Sequence, residues 1–187
     1  FKISELATLS KNVEDVYAHV HEIIKTITYA DNLYIALYDQ TTNWLSFPYC
    51  VDEFNDNAKP RPFAKGYSEL VLSTEKCQVI DEQRAKDLIK LGVIERPIDV
   101  PPQRRATSWL GAPLKTSQGV IGLIVCQAYC NKHEFSQDDC ELITFVSHQI
   151  ASVIQAHLAS QELKLSPQKL EQRVTEKTKE LRQVNMH

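Results

Sequence analysis

Val13, Val16, Val20, Ile24 and Ile27 recur every three or four residues, the spacing that gathers apolar side chains on one face of a helix. Asn12 is placed to cap it, with Asp15 in the first turn beside exposed backbone amides. A helix over Asn12–Thr28 follows, behind a shorter helical segment carrying Ile3, Leu6 and Ala7. The period then changes to two. Leu33, Ile35 and Leu37 alternate with Tyr34, Ala36 and Tyr38, "DQTTN" is turn chemistry, and Trp44–Val51 is rich in β-formers, which together make a hairpin. Residues 52–66 read as a loop from their Pro, Asn and Asp content.

A short helix, "YSELVLSTE", and a short strand, "CQVI", come next. Asp81 caps a helix "EQRAKDLIKL" that Gly92 stops. The stretch "VIERPIDVPPQRRAT" contains three prolines and is irregular. Two strands then flank a turn at Ser117–Gly119. Val120–Val125 is apolar on both faces and should be a central, doubly covered strand. Ser136 and Asp139 form a capping-box pattern at the head of a long helix through Cys140, Ile143, Val146, Ile150, Val153 and Ile154, running on toward Leu163. Hairpins separated by helices imply an α+β fold with an antiparallel sheet.

Composition narrows the class. With 187 residues, 43% of them hydrophobic, the chain supports one good core and an appendage. A net charge of −3 lacks the basic face of a nucleic-acid binder. No apolar run approaches a membrane span of ~20 residues. The chain opens without a signal-peptide pattern and without Met, so a piece of a longer, cytoplasmic protein is expected. Its five cysteines, an odd number without a CxxC pair, read as reduced thiols. Strand parity would put Cys126 and Cys130 on one face, as small core residues and not as a zinc site.

The segments "YIALYD", "LSFPYCVDEF", "KGYSELVLSTEK", "SWLGAPLKTSQGVIGLIVCQAY" and "FSQDDCELITFVSHQIASVI" follow in an order and at intervals that resemble a GAF domain over about Phe1–Ser160. The resemblance implies a GAF (PAS-like) fold with an antiparallel sheet of five to six strands, five of them ordered 2-1-5-4-3. The first and last helices would pack on one face, with a ligand pocket on the other. Such relatives often carry Thr-Gly-Lys after the mid-domain helix. This chain has Thr74-Glu75-Lys76, and the helix is expected to run slightly longer there. The tail "LEQRVTEKTKEL" resembles signalling helices that precede diguanylate cyclase (GGDEF) modules, often with an EAL phosphodiesterase, or that occur in sensor histidine kinases.

Catalytic signatures are sparse. Some GAF-fold proteins are free methionine sulfoxide reductases with clustered cysteines. Cys50, Cys77, Cys126 and Cys130 are the candidates for such a cluster, but the relatives' "FPGHIAC"-like segment is missing. The six histidines fall at spacings that build no site. No bilin-type Cys-His dipeptide, haem or metal signature, phosphate loop or Ser-His-Asp set occurs, and "NKHEF" (131–135) only echoes a cyclic-nucleotide pattern. The cofactor is therefore unknown and the chain is read as regulatory, not enzymatic. Ligand contacts are expected from loops 52–66 and 92–108. Lys59, Arg61, Arg96, Arg104 and Arg105 would offer charge to a carboxylate or phosphate, and Tyr49, Trp109 and Tyr129 would line the pocket.

Residues 1–160 are thus the sensory domain and 161–187 a helix toward an output domain, with an unidentified small molecule as ligand. Leu163, Leu170, Val174, Leu181 and Val184 form a thin coiled-coil seam. Ser166 and Pro167 suit a fresh helix start, so a break is expected there. A homodimer through the first and last helices is expected from apolar surplus such as Val153, Ile154 and Leu158. The favoured output is a diguanylate cyclase. The alternatives are a histidine kinase or a ligand-free dimerisation block.

Overall fold

The computed structural model describes residues 13–55, 57–95, 101 and 104–184, with side chains described between 14 and 160 in those spans. The segment at Ile3–Ala7, the Asn12 cap and Arg96 lie outside the described residues. Ten elements follow in order: α1 (Val13–Lys25), β1 (Asn32–Asp39), β2 (Trp44–Val51), β3 (Arg61–Pro62), α2 (Tyr67–Thr74), β4 (Gln78–Asp81), α3 (Glu82–Lys90), β5 (Ser108–Thr116), β6 (Gly119–Ala128) and α4 (Gln137–Val184). The sheet is six-stranded, ordered β3-β2-β1-β6-β5-β4, and every pairing is antiparallel. This is the expected five-strand order with the two-residue β3 added beside β2.

Strand alternation builds two cores. Leu33, Ile35, Leu110, Ala112, Leu114 and Ile124 face α1 and α4 and are fully buried there with Val16, Val20 and Ile143. Ala36, Leu123, Val125 and Trp109 face the other way, under Val71 and Leu72 of α2 and Leu88 of α3. β6 lies between β1 and β5, which is why Val120–Val125 reads as apolar throughout.

Local chemistry sets the helix ends. Asp81 accepts from the Arg84 amide at 2.7 Å and starts α3, and Gly92, at φ +69°, ends it. The Ser136 amide donates to Asp139 Oδ2 at 2.8 Å while the Asp139 amide donates back to Ser136 Oγ at 3.2 Å, opening α4. Thr28 Oγ1 donates to Asp139 Oδ1 at 2.6 Å and ties the exit of α1 to this cap.

Several expectations are corrected. α2 ends at Thr74, because Glu75 itself takes the left-handed conformation (φ 52°) that favours glycine. Cys77 and Cys140 are joined as a disulfide with Cα atoms 6.0 Å apart, so the five cysteines are not all free thiols. Cys126 is buried in β6, whereas Cys130 lies beyond the strand at φ 53° and is exposed; strand parity stops at Ala128.

Three further corrections concern α4. The helix runs unbroken to Val184, and the break expected at Ser166–Pro167 is absent. A proline removes one amide and favours a bend, but strong helix formers on either side carry the backbone through. The 160/161 boundary therefore falls inside α4, which is ~72 Å long at ~1.5 Å per residue. The seam residues Leu163 to Val184 lie on it, beyond the described side chains. Val153 and Ile154 are buried in the protomer's own core, while Leu142, Phe145 and Leu158 are exposed. Gln137–Ser160 is long and apolar enough to cross a membrane, contrary to the reading that no such run exists. Its Ile143, Ile150 and Ile154 are instead buried against the sheet.

Candidate functional site

β5 carries alternate residues to opposite faces, so Trp109 and Gly111 point away from α4. The missing Cβ of Gly111 makes room for the indole. A Cβ there would lie 2.2 Å from the Trp109 ring, which therefore lies over the strand as the floor of a cavity. That cavity holds about 510 Å³. Ala85 and Ile89 of α3 and Tyr67 and Ser68 of α2 form walls. Tyr34 and Gln127 come from the sheet, Tyr129 from just beyond β6, and Arg104, Arg105 and Ala106 from the loop entering β5. A size of several hundred Å³ suits a small organic molecule.

Buried hydrogen bonds hold the inner surface. Tyr34 OH lies 3.1 Å from Ser68 Oγ, and burial pushes its phenol up to about 12. Tyr129 OH donates to Asp52 Oδ2 at 2.9 Å and accepts from Gln127 Nε2 at 2.7 Å; Gln127 also donates to Asp52. Burial, then the hydrogen bond to the Asp52 carboxylate, raises the Tyr129 phenol well above its ordinary range and keeps it a donor. Asp52 Oδ1 meanwhile accepts the amides of Phe54 and Asn55 at 2.8 and 2.9 Å, fixing the exit of β2.

Glu69, 3% exposed, is a second anchor. It pairs with Arg61 and accepts the amides of Ala64 and Gly66, each at 3.1 Å. Burial alone would raise its carboxyl, but the Arg61 hydrogen bond and charge, with the backbone amides, hold it below the usual glutamate value.

Arg61, Arg104, Arg105, Trp109 and Tyr129 thus come together around one cavity, although Arg61 is engaged by Glu69. Lys59 lines a smaller adjoining space of about 290 Å³ that shares Tyr34, Ser68 and Gln127. Tyr49 belongs to the opposite face. Ile35 pairs with Tyr49 but Leu37 pairs with Ser46, so β2 carries one extra residue and its parity flips. Tyr49 OH bonds His21 Nδ1 at 2.9 Å, and His21 Nε2 reaches the Ala30 carbonyl at 2.6 Å. Burial lowers the His21 pKa, so this imidazole is a neutral core group.

The candidate cysteines do not assemble a reactive set. Cys77 is bonded to Cys140, Cys50 Sγ donates to the Asn55 carbonyl at 3.0 Å, and burial pushes the Cys126 thiol up to about 12. In "NKHEF", Lys132 pairs with Glu53 at 2.9 Å, and His133 stacks on Tyr29 with ring centres 5.2 Å apart. No cluster of three or more His, Cys, Asp or Glu able to hold a metal occurs among the described residues. The reading from residues missed Tyr34, Ser68, Gln127, Asp52 and Glu69. Gln127 had a signal: it is a polar side chain on an otherwise apolar strand, on the face of Leu123 and Val125.

An antiparallel sheet with helices α1 and α4 on one face and a side-chain-lined cavity on the other defines the class of α+β domain. The chain belongs to the GAF domain family, whose family model matches residues 10–155. No protein of curated function matches it in sequence. Its fold is similar to the GAF domain of an Acinetobacter phosphoenolpyruvate-protein phosphotransferase, at 17% identity and TM-score 0.65 over 86% of this chain and 93% of that one. A methyl-accepting chemotaxis protein (residues 122 to 287) is similar at 20% identity and TM-score 0.65, over 83% and 96% of the two chains. The free methionine-R-sulfoxide reductase of Neisseria meningitidis is similar at 12% identity and TM-score 0.61, over 84% and 87%. At these identities the likeness concerns the fold.

Proposed function

We propose that this GAF domain is a sensory module that binds a small molecule in the Trp109 cavity and passes the event to an output domain through α4. The observation that carries this is the two-sidedness of β5. Trp109 faces the cavity and Gly111 makes room for its ring, while Leu110, Ala112 and Leu114 between and beyond them pack into the core shared with α4. A ligand that shifts this strand shifts the seat of the helix. Neighbours in phosphotransferase and chemotaxis proteins suit a regulatory role. The likeness of "LEQRVTEKTKEL" to linkers ahead of diguanylate cyclases favours that output over a histidine kinase. A parallel homodimer would bring two such helices side by side. Leu142 and Phe145, 49% and 70% exposed, supply the apolar surface for it.

The test places residues 1–187 ahead of a diguanylate cyclase domain and inserts residues after Leu165. Seven extra residues preserve helical phase and should preserve regulated output. Three or four rotate the seam and should lock or uncouple it. Output indifferent to every insertion would reduce α4 to a tether.

A further inference from the structure

Gln127 stands directly opposite Trp109 in the β5–β6 ladder and lines the same cavity. Facing residues of an antiparallel pair have Cβ atoms about 5 Å apart, so the Gln127 amide sits at the edge of the indole floor. That amide can face only one way. Its Nε2 donates to Asp52 Oδ2 and to Tyr129 OH, and a carboxylate oxygen has no proton to give in return. Asp52 is fixed in turn, because its Oδ1 accepts the amides of Phe54 and Asn55. Gln127 Oε1 is left without a hydrogen-bond partner among the described residues. It is not sealed off either: the buried side-chain oxygens and nitrogens without a partner among those residues are Tyr29 OH and His133 Nε2. Gln127 Oε1 is thus an acceptor open to the space that Gln127 lines.

The other polar groups of the cavity are engaged or unselective. Arg61 is held by the buried Glu69, Lys86 lies 3.9 Å from Glu82, and Arg105 has an interaction of its own. Arg104 is exposed and keeps its water. Tyr34 OH is paired with Ser68 Oγ, and Tyr129 OH gives its proton to Asp52. The Tyr67 hydroxyl can give or take a hydrogen bond and so favours neither kind of ligand. What remains is apolar: the indole, with Ala85 and Ile89 of α3.

We infer that the cavity takes a small, flat, uncharged aromatic or heteroaromatic molecule that lies on the Trp109 indole and donates an N–H or O–H from its edge to Gln127 Oε1. The inference rests on reading the cavity as a ligand site. A molecule of the same shape without the donor would cover the same apolar floor, but it would strip Oε1 of water and give nothing back. An anionic edge would set negative charge against that oxygen, and the Arg61 charge lining the same space is already met by Glu69.

The experiment follows the Trp109 indole N–H resonance by 1H–15N NMR in a Trp44→Phe background, which leaves one indole in the chain. The probes are two pairs matched in shape, indole against benzofuran and 2-quinolone against coumarin, in which a ring N–H is exchanged for a ring oxygen, together with 2-naphthoate. The N–H member of each pair should move the resonance saturably and bind about tenfold more tightly than its oxygen counterpart, the scale of one hydrogen bond and the acceptor it would leave bare. 2-Naphthoate should bind more weakly than either N–H probe. Gln127→Met should abolish the preference within each pair. In the unsubstituted site the Gln127 13Cδ resonance should move downfield with the N–H probes and not with their counterparts, a readout that stands whether or not the variant folds. Pairs that bind equally, or 2-naphthoate binding as tightly as indole, overturn the ligand class while leaving the cavity a ligand site. A preference that survives Gln127→Met, or a 13Cδ resonance that ignores the N–H probes, overturns the role of Gln127. If no probe moves the Trp109 resonance at millimolar concentration, the ligand class and the reading of the cavity fall together.

Discussion

The Cys77–Cys140 bond joins the residue just before β4 to the first turn of α4, across a sequence separation of 63. Closing a loop of that length in the unfolded chain removes entropy worth about 4 kcal/mol on a chain-entropy view. Cys140 is only 4% exposed, so the reduced thiol stays packed and the native contacts around it persist. Reduction should therefore act mainly on the unfolded state. A domain of this size has a total stability of about 5–15 kcal/mol, so the loss is a large share of it. At 2–4 °C per kcal/mol the midpoint should fall by about 8–16 °C. Thermal unfolding with and without a phosphine reductant measures this, and Cys77→Ser and Cys140→Ser should each reproduce the reduced midpoint. A thiol titration in denaturant should find three free groups before reduction and five after. Five before reduction, or a midpoint indifferent to reductant, would refute the bond and the loop-entropy account with it.

Gly111→Ala should cost about 1–3 kcal/mol by overpacking, since the new Cβ would lie 2.2 Å from the indole, and should move the Trp109 N–H resonance, both read on one sample by thermal melting and NMR. Arg104→Ala should change stability by less than about 1 kcal/mol, because an exposed charge contributes little, and a larger drop in melting temperature would mean the loop is pinned by it. Glu69 is held below its ordinary value, so its contribution is present above the unfolded glutamate pKa and is lost as pH falls through the lower folded one. Acid unfolding of the Glu69→Gln variant should accordingly show a flatter slope below the usual glutamate range, and a slope equal to the parent's would contradict the pairing. Phe145→Ser should shift the protein toward monomer in light scattering at tens of micromolar if the exposed face of α4 is the dimer surface; a parent that is itself monomeric there removes the dimer.

What the sequence determined by itself is everything that depends on short-range periodicity. The spacing of Val16, Val20 and Ile24, the alternation Leu33–Tyr38, the Asp81 and Ser136–Asp139 caps and Gly92 each encode a local geometry that burial then rewards. The hairpins and the double apolarity of Val120–Val125 were legible for the same reason. What only the tertiary structure decided lies where distant segments meet or where one residue changes a count. An extra residue in β2 turns Tyr49 away from the cavity it was expected to line. Glu75 accepts a left-handed conformation, and α4 carries Pro167 within it. The Asp52–Gln127–Tyr129 and Arg61–Glu69 groups join residues that share no local pattern, as do Cys77 and Cys140. Their partners are chosen by strand register and by the need of buried polar atoms to find one another, and neither is written in any single stretch of chain.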